Sequence, residues 1–152
     1  FIIAVPTPFK NKYEPDLSYI KSAVKAISHV IEKGNMIILE STVPVGATED
    51  IKKWLLEERA DLGFPEEEKD IKASDINIAH CPERVLPGNV MYELVHNDRV
   101  IGGVNKESTN KATEFYSKYV KGKLHATNAR TAEMCKLTEN SSRDVQIAFA
   151  ND

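Results

Sequence analysis

Two cysteines are all the chain has in 152 residues, and Cys81 and Cys135 stand too far apart for metal-ligand spacing. Buried free thiols are therefore expected rather than a zinc site or a disulfide. No apolar run approaches the roughly 20 residues that span a bilayer, and no basic stretch followed by an apolar one opens the chain. A net charge of -3 and a pI near 5.9 come from mixed signs spread along the sequence. That pattern offers no basic footprint for nucleic acid and no polybasic patch for a membrane surface. The histidines at 29, 80, 96 and 125 have no partner spacing and are read as structural. No Ser-His-Asp or Cys-His arrangement finds support, and there is no internal repeat or low-complexity segment. What remains is a domain of ordinary composition, with the cytoplasm as default compartment and a small molecule or another protein as partner.

The order of elements predicts an α/β chain with a Rossmann-like, mainly parallel sheet and a long C-terminal helix. Residues 1–5 form a continuous apolar run that suits a strand covered on both faces, stopped by Pro6-Thr-Pro8. After a loop at 10–15, Asp16 can cap a helix carrying Ile20, Val24, Ile27 and Ile31 at helical period, with Gly34 as a left-handed cap. Met36–Leu39 is a second strand, followed by a helix that groups Ile51, Trp54 and Leu55. Residues 59–74, including Glu66-Glu-Glu-Lys-Asp70, read as a solvated connection. Strands are expected at 76–80, 99–104 and 124–127, and a short helix at 89–96. A helix begun by Asn105 would pack through Ala112, Phe115, Tyr116 and Tyr119 and end at Gly122. Asn128 caps the last helix, which Leu137, Val145, Ala148 and Phe149 would anchor on the core. The chain opens without Met on a bare buried-strand pattern, so it is expected to be a piece of a longer protein.

Ligands of such sheets sit outside the carboxyl ends of the strands, which directs attention to the loops at 6–8, 41–46 and 81–88. All three contain proline. No G-x-G-x-x-G run is present, so the chain either binds no dinucleotide or holds only the second half of a Rossmann domain. Thr7 is either part of a rigid turn or a site residue. Thr42 precedes a helix start whose free N–H groups would face the crevice, unless it is a simple helix-start hydroxyl. Glu83 beside Arg84 is either an ion-paired loop residue or an ionised carboxylate suited to act as a base or to orient water. Lys136 and Asn140 lie four apart on one helical face. Glu133 and Glu139 are each three residues from Lys136, so a solvated ion-pair face is the plain alternative.

Four stretches taken together carry a resemblance: Val5-Pro-Thr-Pro8, Glu40-Ser-Thr-Val-Pro-Val-Gly46, Cys81-Pro-Glu-Arg-Val-Leu-Pro-Gly88 and Thr131-Ala-Glu-Met-Cys-Lys-Leu-Thr-Glu-Asn-Ser141. In this order and spacing the chain resembles the UDP-glucose/GDP-mannose dehydrogenase family. The resemblance implies NAD as cofactor and a UDP-sugar as substrate, whose C6 alcohol is oxidised to a carboxylate through a cysteine thioester with two NAD consumed. It implies that Lys136 and Asn140 stabilise the oxyanion and hold a water, and that Glu83 assists thioester hydrolysis. Thr42 would help bind that water near the nicotinamide, Thr7 would touch the cofactor, and Arg84 would join Glu83, Lys136 and Asn140 around the substrate.

Departures from the pattern shape the expectation. The glycine-rich loop and ribose-binding acid of the family would precede Phe1, and its nucleophilic cysteine would lie in a later domain, matched by neither Cys81 nor Cys135. Pro87 stands where many UDP-glucose enzymes have a second glutamate, which favours the acetamido-sugar branch, and Ser142 stands where an aromatic is expected. Residues 1–127 would be the C-terminal part of the NAD-binding domain and 128–152 the start of a central helix that joins domains and pairs subunits in a homodimer or higher oligomer. The isolated chain is expected not to turn over. The rival readings are a β-hydroxyacid dehydrogenase-like enzyme that takes a single hydride, and a non-catalytic nucleotide-binding or dimerisation module.

Overall fold

The computed structural model describes residues 1–66, 74–86 and 88–151. Five strands lie side by side in chain order: β1 (Ile2–Ile3), β2 (Met36–Leu39), β3 (Asn77–His80), β4 (Arg99–Gly103) and β5 (Leu124–Asn128). β1 with β2, β2 with β3, and β4 with β5 are parallel, while β3 and β4 run antiparallel. The helices are α1 (Ser18–Ser28), α2 (Ala47–Glu58), α3 (Val90–His96), α4 (Lys106–Ser117) and α5 (Ala129–Asn151). The mainly parallel α/β architecture is the one expected.

The apolar run of β2 is continuous because both of its faces are covered. Ile37 and Leu39 join Ile20, Val24, Ile51, Leu55 and Ile78 in a core against α1 and α2. Ile38, pointing the other way, joins Ala79, Ile101, Ala112 and Tyr116 in a second core against α4. The paired glycines at the end of β4 allow close approach: a Cβ on Gly102 would stand 2.1 Å from the Asn128 carbonyl oxygen, and one on Gly103 would stand 2.3 Å from the Thr109 nitrogen. Asn105 and Asn128 cap α4 and α5 as expected, accepting from the Ser108 and Thr131 N–H groups at 2.8 Å each.

Several expectations are corrected. The first strand is shorter than 1–5 and lies at the sheet edge, with Ile2 49% exposed and only Ile3 buried, because no strand covers its outer side among the described residues. α1 stops at Ser28, so Ile31 packs from the following loop, and Gly34, at φ 89°, serves that loop rather than a helix cap. Gly122 is likewise no cap: a Cβ there would meet the Asn97 carbonyl oxygen at 2.3 Å. The connection after α2 is only partly solvated, since Leu62 and Phe64 join the first core; residues 67–73 lie outside the described residues, as does Pro87. The stripe assigned to α5 does not anchor it. Val145 and Phe149 are exposed, and the helix is seated by Ala129, Ala132 and Glu133.

Candidate active site at the strand ends

The loops after β1 and β2 are clipped together by hydroxyls. Pro6 and Pro8 supply no N–H to the space between them, so side chains make the bonds that backbone would otherwise make. Ser41 Oγ accepts from Val5 N–H at 2.9 Å and donates to the Val5 carbonyl at 2.8 Å. Thr7 Oγ1 donates to the Thr42 carbonyl at 2.7 Å. The two threonines singled out from sequence 35 positions apart are thus in direct contact.

The loop after β3 is drawn onto the same edge. Cys81 N–H donates to the Leu39 carbonyl at 3.0 Å and Glu83 N–H to the Glu40 carbonyl at 3.3 Å, extending the β2–β3 pairing past the strands. Lys136 reaches in from α5, its Nζ donating to the Glu83 carbonyl at 2.7 Å. One turn further along, Asn140 is exposed. The Glu83 carboxylate folds back to accept from the Val85 N–H, and Arg84 pairs with Glu139 at 2.5 Å. Two sequence readings fail here. Glu83 and Arg84 do not pair with each other, and Lys136 is not part of a solvated ion-pair face, because the backbone carbonyl at 83 and the guanidinium at 84 take the partners that helical spacing suggested.

The helix start behind Thr42 is also not free. Glu133, 1% exposed, accepts from Gly46 N–H at 2.7 Å, Thr48 N–H at 2.8 Å and Thr48 Oγ1 at 2.6 Å. A carboxylate at a helix N-terminus satisfies both the orphan donors and the dipole, so the open anion site expected there is already filled. Glu133 was visible in sequence only as a neighbour of Lys136; nothing local pointed to a partner 85 residues away.

Beneath the loops lies a polar cluster that sequence reasoning missed. Tyr116 of α4 donates its phenol proton to Glu40 Oε1 at 2.6 Å, and the buried Arg99 guanidinium stands 5.9 Å over the Tyr116 ring. Burial holds the Tyr116 phenol far above its ordinary range, with the neighbouring Cys81 and Glu40 adding to the shift. Burial also pushes the Cys81 thiol up to about 11, which makes it a poor nucleophile. His80, fully buried in β3, is lowered to about 4 by desolvation and stays neutral. Both cysteines are free, Cys135 being half-buried. No group of three His, Cys, Asp or Glu side chains among the described residues could hold a metal.

Thr7, Thr42 and the carbonyls around them form a neutral set of hydroxyls and acceptors without a cation in either loop. That chemistry fits the carboxamide and ribose of a nicotinamide nucleotide and does not fit its pyrophosphate. A separate groove of about 800 Å3 runs beside α5 between Val45, Met134, Cys135 and Arg143, and includes none of Thr7, Thr42, Glu83 or Lys136.

Residues 1–120 match the UDP-glucose/GDP-mannose dehydrogenase family, NAD binding domain. The chain belongs to this family. The cofactor of this domain is NAD. The UDP-N-acetyl-D-mannosamine dehydrogenase of Yersinia pestis is 58% identical over 152 residues, covering all of this chain and 36% of the relative. The NDP-N-acetyl-D-galactosaminuronic acid dehydrogenase of Ralstonia solanacearum is 56% identical over the same span, again 36% of its length. The UDP-D-ManNAc dehydrogenase structure from Pyrococcus horikoshii superposes with a TM-score of 0.88 at 43% identity, covering 99% of this chain and 34% of that one. The chain therefore spans about a third of the length of the curated relatives it matches. No helix among the described residues is long and apolar enough to cross a membrane.

Proposed function

We propose that the chain is part of an NAD-dependent nucleotide-sugar 6-dehydrogenase that converts UDP-N-acetylmannosamine to UDP-N-acetylmannosaminuronate. Residues 1–127 complete the NAD-binding domain, and residues 128–152 begin a helix that joins domains and pairs subunits in the cytoplasmic enzyme. The observation that carries this reading is the arrival of Lys136 Nζ at the Glu83 carbonyl, 2.7 Å away, on the edge where the Thr7 and Thr42 loops are clipped together.

Bound NAD would supply the hydride acceptor for each of the two oxidations at C6. The alcohol proton would pass to a base, a cysteine thiolate would add to the aldehyde carbonyl and become the thioester at the second oxidation, and water would release the carboxylate and return the thiol. Neither thiol of this chain suits the nucleophile: Cys81 is buried, and Cys135 lines the groove beside α5. Lys136, a fixed cation, stabilises the alkoxide-like oxygen that develops at C6, an effect worth about 10²–10³ in kcat for one preorganised donor. Asn140, one turn away, orients the oxyanion or the attacking water. Glu83 orients that water once its carboxylate turns from Val85 N–H, and Arg84 sits beside it near the sugar nucleotide. Thr42 helps hold the water by the nicotinamide, and Thr7 keeps the Thr42 loop in place on the cofactor side.

The test is product analysis of the whole polypeptide encoded by the reading frame that carries this chain. Two NADH per UDP-N-acetylmannosamine, inactivation by a thiol reagent and a kcat lowered by about 10²–10³ in Lys136→Met are expected. One NADH per sugar with a ketone product would overturn the reading in favour of single-hydride chemistry. Binding of NAD and sugar without turnover by the whole polypeptide would instead mark a non-catalytic module. The 152-residue chain by itself is expected to reduce no NAD.

A further inference from the structure

Glu133 touches neither of the crevice-facing loops' threonine side chains, yet it is held more tightly than any exposed group on α5. Its carboxylate is 1% exposed and takes the N–H groups of Gly46 and Thr48 and the Thr48 hydroxyl within 2.8 Å. Those donors follow directly on the loop that carries Thr42. Three residues along α5, Lys136 leaves the helix to meet the Glu83 carbonyl at 2.7 Å. At about 1.5 Å of rise per residue the two side chains are separated by only about 4.5 Å along the axis, so whatever fixes one fixes the other. Two ion pairs also tie this end of α5: Arg130 meets Glu49 through two bonds, at 2.6 and 2.8 Å, and Arg84 meets Glu139 at 2.5 Å, with cationic side chains 60% and 29% exposed. Their long, partly exposed arginine side chains can follow a small axial shift of the helix that an enclosed carboxylate cannot. The buried carboxylate, bonded three times, accepts only one depth of insertion.

We propose that Glu133 is a positioning residue, which sets the axial register of α5 against the first turn of α2 and thereby places the Lys136 ammonium over the reacting oxygen. The inference rests on the reading of Lys136 given above. Charge and shape are both needed: a glutamine would turn its NH2 group toward the N–H of Gly46 or of Thr48, leaving that backbone N–H without its acceptor.

The experiment measures kcat and KM for NAD and UDP-N-acetylmannosamine in the whole polypeptide for wild type, Glu133→Gln, Lys136→Ala and the double variant, well below every variant's Tm. Glu133→Gln is expected to lower kcat by about tenfold or more with little change in either KM, as sub-ångström misplacement of a catalytic group does. In the Lys136→Ala background the same substitution is expected to cost several-fold less, because Lys136 is gone and only Asn140 is left for the shift of α5 to misplace. An equal fold-loss in both backgrounds refutes the proposal, since a general structural role would be additive, and so does an unchanged kcat in Glu133→Gln. A wild-type rate in Lys136→Ala overturns the underlying reading and is separately visible. Should Glu133→Gln fail to fold, Thr48→Val removes one of the three bonds and is expected to reduce kcat about threefold, with Thr48→Ser at the wild-type rate. A Thr48→Val enzyme with unaltered kcat would again refute the proposal.

Discussion

Replacing Tyr116 by Phe tests whether α4 holds the floor of the site. The phenol is fully buried and donates to Glu40 Oε1 at 2.6 Å, while the Glu40 backbone carbonyl accepts from Glu83 N–H at 3.3 Å. Phe keeps the ring volume, so no cavity forms and the loss is that of the hydrogen bond alone. A net bond to an ionised acceptor contributes about 1.5–3 kcal/mol. Glu40 is only half-buried and regains some water, which places the expected loss near the lower end, about 1.5–2 kcal/mol. For a domain of this size that corresponds to a fall in Tm of roughly 3–8 °C. Urea denaturation of Tyr116→Phe should show a lower midpoint at unchanged m-value, and Glu40→Gln should recover part of the loss in the double variant. A loss below about 0.5 kcal/mol, or strict additivity of the two substitutions, would mean that the contact does not support the loops.

Acidification should weaken the fold through His80. Its folded value of about 4 lies below the ordinary 6.5, so the unfolded chain binds the additional proton; this stability is fully present above pH 6.5 and is lost as pH falls through 4. The slope is about 1.4 kcal/mol per pH unit and the total about 3 kcal/mol, and His80→Leu should flatten it in urea titrations across that window. Thiol titration of the native chain should modify Cys135 and spare Cys81, whose thiol is buried and pushed up to about 11, with both reacting in denaturant; rapid native labelling of Cys81 would contradict its burial. Gly102→Ala drives a Cβ to 2.1 Å from the Asn128 carbonyl and should cost at least about 1–3 kcal/mol, read as a lowered Tm or loss of soluble protein.

Local sequence determined the elements and their order. The unbroken Met36–Leu39 run, the helical spacing of Ile20 and Val24, and the caps Asn105 and Asn128 each express a short-range preference that survives in the fold. The four motifs, with Thr7, Thr42, Glu83 and Lys136 among them, were also legible, because residue types at fixed spacing are a property of the chain itself. Who pairs with whom was not. Lys136 has glutamates at helical spacing on both sides, and tertiary structure sends Glu133 into the first turn of α2 and Glu139 to Arg84, leaving the ammonium for the Glu83 carbonyl. The apolar residues late in α5 look like an anchor by period, yet Phe149 is 84% exposed. Periodicity reports which side chains share a face, and only the packed sheet decides what lies against that face. Burial then selects the partner: a carboxylate enclosed by three donors gains more than one sharing solvent with a neighbouring lysine, a difference no window of local sequence contains.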